Sequence, residues 1–368
     1  MANITEAGFR YEPDYAVPPG ETLAEVLEDR GMSQAELARR TGISAKHINM
    51  ILKGSAAITP DTALKLERVL NIPARIWNAL EANYRGHLSR LSEARDLEQH
   101  VGWASKDLIK ELVSRRCIRQ VNDRVQQLRE VLKFFGVASV EAWNTIWTES
   151  APLNAYRLAK QQGDPVALAA WMRIGELHAA DVATEPFDRA KFRVALGAVR
   201  ELTRIRDPRD WLPRLQETCR RVGVVVIIEK ELPKARVNGV ARWLTPSKAL
   251  IQLSARYLRD DILWFTFFHE GGHLLLHGKK SGPRDVPPTF IDTKDSEGRA
   301  EDEANKFAAD TLIPRDRAVS LAYINNFDEV RQLADDLGIS PGIIVGRLHY
   351  EGLKHPSWGA GLIIRYHW

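Results

Sequence analysis

The sequence predicts a mainly α-helical protein with a small α+β domain at its C-terminal end. Amphipathic runs with helical spacing fill most of the first 222 residues. Three short β-rich runs follow between residues 224 and 254, and a long apolar run that ends in ionisable groups comes soon after them. A chain of 368 residues with 44% hydrophobic content is long enough for two or three domains.

The overall composition narrows the class of protein. The net charge is +4 and the isoelectric point is near 9.0, a mildly basic balance that permits nucleic-acid binding without demonstrating it. The two cysteines, Cys117 and Cys219, have neither CxxC spacing nor the pattern of a secreted disulfide framework. The stretch from Met1 to Tyr15 is polar and acidic, and nowhere do 18 apolar residues run together. We therefore expect a cytoplasmic protein that neither is secreted nor contacts a membrane.

Residues 20–85 carry the pattern of several short helices. A first helix should end at Gly31, and a second should begin after Ser33, an N-cap that forms a capping box with Glu36. A third helix should begin after Ser44, a second N-cap, and end before Gly54. The apolar positions expected to face the core are Leu23, Val26, Leu27, Ile48, Ile51 and Leu52. Two short helices joined by a glycine turn make a helix-turn-helix.

Several polar side chains of this region are suited to DNA. The outward positions of the third helix are donors that fit base edges and phosphates, and Gln34 at the start of the second helix would bond a phosphate. The predicted DNA-binding residues are Gln34, Ser44, Lys46, His47, Asn49 and Lys53. The alternative is an ordinary helical hairpin with solvated polar residues, but caps, spacing and charge all favour DNA.

Two further motifs carry a family resemblance for residues 20–84. They are Gly54-x-x-x-Ile58-Thr59-Pro60 with Ala63, Leu64 and Leu66, and Trp77-x-x-Leu80-x-x-x-Tyr84. With the helix-turn-helix they resemble the HigA-type antitoxin branch of the phage-repressor-like helix-turn-helix family. The resemblance implies a five-helix domain that binds palindromic operators in double-stranded DNA as a homodimer.

An HExxH motif, His269-Glu270-Gly271-Gly272-His273, lies near the end of the long apolar run. On a helix the two histidines lie one turn apart on one face, so both imidazoles reach a single metal ion, and zinc is the expected metal. Glu270 would act as a general base toward the water that attacks the substrate. Two glycines in a helix are costly, which suggests that a substrate or a neighbouring strand approaches closely there. The alternative is an ordinary core helix with two hydrogen-bonded histidines.

A third metal ligand should come from a second helix in the stretch of residues 299–314. Glu301 and Asn305 share one stripe of that helix, whereas Glu303 lies on another side. We therefore favour Glu301 as the ligand and keep Glu303 as its competitor. Asn305, one turn on, would hydrogen-bond a metal-bound histidine.

These two motifs together resemble the ImmA/IrrE family of zinc metallopeptidases over roughly residues 222 to 353. The residues that carry the resemblance are His269, Glu270, Gly272, His273, Glu301, Glu303, Ala304, Asn305, Phe307, Ala308, Ala309, Ile313 and Pro314. The resemblance implies a small thermolysin-like catalytic core and cleavage of a transcriptional repressor. At Gly271 the family usually has a larger apolar residue.

The remaining stretches have simpler interpretations. Residues 86–222 show only amphipathic helical runs and predict a helical connector whose aromatic residues lie in its core. Among the strands, residues 239–243 or 249–253 are candidates for an edge strand that holds an extended substrate, and residues 279–293 should form a surface loop beside the cleft. A helical hairpin over residues 330–353 looks superficially like a second DNA reader, but the family resemblance assigns it to the metallopeptidase core.

The predicted organisation is a leader at 1–19, a helix-turn-helix domain at 20–85, a helical connector at 86–222 and a zinc metallopeptidase domain at 223–368. The function that we favour is a DNA-binding regulator with a zinc-dependent endopeptidase that cleaves a repressor, or itself, after a signal. The alternative is a non-catalytic antitoxin or repressor in which this domain senses a ligand or binds a partner toxin. A purely structural site would need only the ligands, so the presence of Glu270 favours catalysis.

Overall fold

The computed structural model describes residues 16–150, 164–254, 256–277, 289–292 and 298–367, with the side chains of 148–150 and 289–292 left out. The chain divides into two compact units, residues 1–102 and 103–368. Most of the predicted leader lies outside the described residues. Among the helices that are described, none combines the length and apolar character needed to cross a membrane.

The described part of the first unit, from residue 16 on, contains five helices, as predicted. They are α1 (Pro19–Asp29), α2 (Gln34–Thr41), α3 (Ala45–Leu52), α4 (Pro60–Leu70) and α5 (Ala74–Glu98). Their core contains Leu23, Leu37, Ile48, Leu66 and Trp77, each 1% exposed or less. Helix α2 ends at Gly42 in the left-handed conformation with φ 70°, which turns the chain toward α3. Helix α5 runs through the predicted domain boundary at residue 85.

The predicted capping box of α2 is only half formed. The Ser33 hydroxyl accepts a hydrogen bond from the Glu36 N–H at 3.1 Å. The Glu36 carboxylate pairs instead with the guanidinium groups of Arg39 and Arg40, one turn on. Two basic neighbours at i+3 and i+4 therefore compete for the side chain that a capping box would direct to the Ser33 backbone.

Six helices are described at the start of the second unit, in the stretch predicted to be a connector. They are α6 (Lys106–Ser114), α7 (Arg124–Phe135), α8 (Val140–Ser150), α9 (Pro165–Ala180), α10 (Arg189–Leu202) and α11 (Pro208–Arg220). Their aromatic residues pack inward: Trp143 and Trp171 are 1% exposed or less, and Trp171 shares a core with Val240 of the sheet. The predicted boundary at residue 223 falls inside this unit, and the three-domain division stays a prediction.

A four-stranded sheet lies at the centre of the second unit. Its strands are β1 (Val224–Ile228), β2 (Gly239–Thr245), β3 (Lys248–Leu253) and β4 (Thr289–Asp292), in the order β1-β3-β2-β4. Strands β1 and β3 are parallel, and the other two pairs are antiparallel. Alternate residues face opposite sides, so Ala241 and Ile251 join one core while Val240 joins another.

The sheet order corrects two predictions. Strands β2 and β3, each proposed as a substrate-holding edge strand, are both interior, because β1 covers β3 and β4 covers β2. Strand β4 lies in the stretch predicted to be a surface loop, most of which is outside the described residues. Strand pairing is non-local, and four residues inside a proline- and lysine-rich stretch carry too short a pattern to predict a strand.

The remaining described helices follow strand β3 in the chain, and the first of them precedes β4. They are α12 (Asp260–Leu276), α13 (Arg299–Leu312), α14 (Arg315–Ala318), α15 (Phe327–Leu337) and α16 (Pro341–Tyr350), with 3-10 turns at Val319–Tyr323 and Ala360–Leu362. Helix α12 is the most buried of these, and it packs against α13, α16, β2 and β3. The fold is mainly helical with a small sheet near the C-terminal end, which confirms the predicted fold class.

Candidate metal centre and DNA-reading helix

Helix α12 brings the two histidines of the HExxH motif together. Their Nε2 atoms lie 3.0 Å apart, and His269 and His273 are 2% and 0% exposed. Glu301 of α13 completes the cluster: its Oε2 lies 3.2 Å from His269 Nε2, and its Oε1 lies 3.5 Å from His273 Nε2. One ligand atom from each residue lies within 4.8 Å of the others. Three donor atoms therefore converge on one point.

The protonation of this cluster suits a cation. Burial lowers the pKa of His273, which favours the neutral imidazole that a metal requires. Burial opposes the ionisation of Glu301, but hydrogen bonds with His269 and His273 outweigh it together and lower the carboxyl pKa to about 2. Without a cation these contacts need shared protons, whereas a metal ion would satisfy all three donors at once. Two imidazoles and one carboxylate are a donor set that fits Zn²⁺.

The Nδ1 atoms of both histidines contact residues that are not among the three converging donors. Asn305 Oδ1 lies 2.9 Å from His269 Nδ1, the contact predicted for it. His273 Nδ1 lies 3.1 Å from His277 Nδ1, and His277 Nε2 lies 3.1 Å from Glu303 Oε2. Such partners select the tautomer that leaves Nε2 for the metal.

The same contacts distinguish Glu301 from Glu303 as the candidate for the third ligand. Glu303 contacts His277 and also accepts a bond from Arg299 Nε at 2.8 Å, away from the point where the three donors converge. His277 had no role in the sequence analysis. Its signal is visible, however, because residues 269, 273 and 277 follow one i, i+4, i+8 stripe of the helix.

Glu270 is fully buried, and the start of β2 lies against it. A Cβ atom added at Gly239 would stand 2.9 Å from Glu270 Oε1 and 2.6 Å from Thr266 Cγ2. A larger residue at this position would displace the carboxylate. The sequence suggested that a substrate or a neighbouring strand approaches the two glycines of the motif. At Gly272 the close neighbour is instead a side chain of α13, because an added Cβ atom would lie 3.0 Å from Phe307 Cδ1.

A cleft opens beside the metal cluster between α12, α13 and α16. It has a volume of about 420 Å³. Its lining residues are Asn238, Asp261, Ile262, Phe265, Thr266, His269, Glu301, Asn305, Ala309, Leu312, Ile313, Ile343, Gly346, Arg347 and Tyr350. Two of the three donors, His269 and Glu301, therefore face a space that a small segment of peptide can occupy.

The predicted DNA-binding side chains lie at the surface of the first unit. Gln34, Ser44, Lys46, Asn49 and Lys53 are exposed, and His47 is half-buried. The Ser44 hydroxyl accepts from the His47 N–H at 3.2 Å, so its established contact is the helix cap. The buried side of α3 is formed by Ile48 and Ile51, which leaves the opposite side of the helix to solvent.

Comparison with known families assigns both regions. A helix-turn-helix family model matches residues 23–77, and the model described as the IrrE N-terminal-like domain, a peptidase family, matches residues 219–349. The chain joins a helix-turn-helix domain to an IrrE-like domain. The predicted helix-turn-helix and ImmA/IrrE resemblances are thereby confirmed, and the candidate metal ligands His269, His273 and Glu301 lie within the range matched by the IrrE-like model.

The curated relatives match only part of this chain. The virulence-associated protein I of Dichelobacter nodosus is 37% identical over 70 residues, which cover 19% of this chain and 65% of that protein. The uncharacterized helix-turn-helix-type transcriptional regulator YddM of Escherichia coli strain K12 is 33% identical over 63 residues, which cover 17% of this chain and 67% of that protein. The chain thus spans about two thirds of the length of each.

Among the solved structures to which this chain is similar, two examples each match 23% of it with a TM-score of 0.22. An addiction module antidote protein of the HigA family from Coxiella burnetii is 30% identical and is covered to 92% of its length. The Pseudomonas aeruginosa antitoxin HigA, solved with the higBA promoter, is 29% identical and is covered to 94%.

Proposed function

We propose that this chain is a transcriptional regulator that binds DNA through α3 and cuts a peptide bond at the metal centre of its IrrE-like domain. The substrate would be a repressor protein or the chain itself. The observation that carries the proposal is the convergence of His269, His273 and Glu301 around one point, with the buried Glu270 carboxylate next to His269 in the chain. A site that only organises structure needs the three ligands but not the fourth ionisable group.

Each residue of the proposed site has a separate role in hydrolysis. A zinc ion held by His269, His273 and Glu301 would supply Lewis-acid polarisation of the substrate carbonyl and make water more acidic. Glu270 is the group that accepts the proton of the attacking water and passes it to the leaving amine. Asn305 fixes the orientation of His269 through the 2.9 Å contact to its Nδ1.

The DNA-binding half of the proposal rests on the helix-turn-helix match and the exposed donors of α3. Lys46 and Lys53 would neutralise phosphates, and Asn49 would read an adenine in the major groove with two hydrogen bonds. Helix-turn-helix proteins commonly bind two half-sites as dimers, so we propose that two copies of this chain bind a palindromic operator.

A comparison of three variants tests the peptidase directly. Glu270→Gln should keep the metal, the fold and DNA binding while reducing turnover by at least about a hundredfold, because only proton transfer is lost. Asp302→Asn, an exposed neighbour of Glu301, is the matched control and should leave turnover unchanged. The assay is mass spectrometry of the zinc-loaded chain incubated alone and with a mixture of random decapeptides, and His269→Ala serves as the metal-free reference.

The same variants distinguish the proposed peptidase from the alternative, non-catalytic function. In a non-catalytic antitoxin or sensor, the metal would organise a surface for a ligand or a partner toxin. Cells expressing the Glu270→Gln variant would then keep the regulatory response that the His269→Ala variant loses. A response lost in both variants supports the endopeptidase, and equal decapeptide cleavage by the wild type and by Glu270→Gln contradicts it.

A further inference from the structure

Helix α10 buries one side and leaves the other side to solvent. Phe192, Leu196 and Val199 lie in the core of the second unit. The exposed residues follow the spacing of one helical stripe and form the outer face of α10: Ala190, Arg193, Val194, Gly197, Ala198 and Glu201. Between its two charged residues this face is apolar, and Val194 within it is 77% exposed. The helix therefore presents a short apolar strip with an opposite charge at each end.

Gly197 lies in the middle of the outer face. A glycine inside a helix costs about 1 kcal/mol relative to alanine. At Gly272 a neighbour accounts for that cost, because an added Cβ atom would lie 3.0 Å from Phe307 Cδ1. A Cβ atom added at Gly197 would meet no heavy atom of the described residues within 4 Å. Glycine at this position leaves room for the backbone of another helix to approach closely.

The two charged side chains are placed symmetrically about Gly197. Arg193 lies four residues before it and Glu201 four residues after it, each about 6 Å away along the helix axis. Within the part of the chain that the structure describes, neither side chain has an ion-pair partner. If two copies of α10 cross in antiparallel orientation at Gly197, Arg193 of each copy lies opposite Glu201 of the other. A parallel pairing would place like charges opposite one another, which is unfavourable.

From this charge complementarity we propose that two copies of this chain associate through antiparallel α10 helices that cross at Gly197. Val194 of each copy packs against Ala198 of the other, and the twofold axis repeats the ion pair between Arg193 and Glu201. Such a contact uses the same surface on both copies and closes at the dimer. The inference goes beyond the proposed function, because the contact needs neither DNA nor a metal ion.

The size of the surface sets the strength of the dimer. Helix α10 has 14 residues and is about 21 Å long, so its outer face alone covers less than the roughly 800 Å² per partner of a standard interface. A groove of about 810 Å³ toward α11 extends the contact, and Val194, Ala198 and Leu202 are among its lining residues. Lys191 and Arg214 also line this groove and add like charges to each copy. We therefore expect a weak dimer that dissociates on dilution.

Sedimentation equilibrium of the full chain without DNA measures the dimer dissociation constant for a set of charge variants. Arg193→Glu and Glu201→Arg each place like charges opposite one another at both ion pairs, so each should raise the constant at least about tenfold. The double variant restores opposite charges and should return to within about threefold of the wild type. Arg124→Glu, an exposed arginine at the start of α7, is the matched control and should leave the constant unchanged.

A variant of Gly197 separates loss of the dimer from loss of the fold. Gly197→Lys places a better helix former in open space, so the thermal midpoint of unfolding of the dilute monomer should not fall. In the dimer the two lysines would meet at the twofold axis, and the dissociation constant should rise at least about tenfold. A constant that stays the same in Gly197→Lys would contradict a crossing at this residue.

The remaining outcomes decide the inference as a whole. Unchanged constants in Arg193→Glu and Glu201→Arg would place the dimer on another surface and overturn it, as would a wild-type chain that stays monomeric at every concentration. Weakening in each single variant without recovery in the double variant would overturn the antiparallel pairing. Because these measurements use neither DNA nor peptide, a failure of the proposed function leaves their result unchanged.

Discussion

The proposed DNA-reading helix and the candidate metal centre are built in opposite ways. The side chains proposed to contact DNA lie within 20 residues of one another, on two short helices, and most of them are exposed. The candidate metal donors come from two helices, and the two histidines are buried among core residues. An exposed site can therefore change one residue at a time at little cost to folding, whereas a change at a buried site leaves other polar groups without their partners.

The two regions also differ in how much of their structure could be predicted from the sequence. The first unit is made of helices whose ends have local signals, such as Ser33 and Ser44 at N-caps and Gly42 in the left-handed conformation. Each signal acts over three or four residues, so the first three helices follow from such local patterns. The five-helix domain was implied by the family resemblance. The capping box at Glu36 forms only in half because Arg39 and Arg40 bind the carboxylate, a competition that the Ser-x-x-Glu pattern does not reveal.

The arrangement of the candidate metal centre was predictable only where its residues share a helix. The spacing of His269 and His273, and the stripe that joins Glu301 to Asn305, are local patterns. The position of β4 at the sheet edge, the approach of Gly239 to Glu270 and the packing of α16 along the cleft are contacts between distant parts of the chain. Local periodicity carries no information about such pairings.

A substitution at an exposed side chain that is proposed to contact DNA should reduce DNA selectivity without reducing the stability of the fold. Asn49→Ala should weaken binding to an operator selected in vitro from random DNA by on the order of 1 to 3 kcal/mol, with little loss on unselected DNA. The thermal midpoint of unfolding should not change. Asn83→Ala, an exposed asparagine on α5, is the control. Equal losses on both kinds of DNA, measured by fluorescence anisotropy, would make Asn49 a phosphate or structural contact.

The contact between His273 and His277 should make the zinc affinity depend on a residue that is not itself a proposed ligand. His277→Ala removes the contact to His273 Nδ1 and should weaken zinc binding by about 10- to 100-fold, as loss of an outer partner usually does. Competition with a chromophoric chelator measures the affinity. The exposed His355→Ala variant should match the wild type. An unchanged affinity in His277→Ala would show that this contact does not orient the ligand.

The most direct test of a metal centre made by His269, His273 and Glu301 is the zinc content of matched variants. The purified chain should hold about one zinc ion, which the two-imidazole, one-carboxylate set predicts. Glu301→Ala should lose nearly all of it after dialysis against a weak chelator, and Glu303→Ala should keep most of it. A wild-type chain that takes up no zinc, or a larger loss in Glu303→Ala than in Glu301→Ala, would contradict this account.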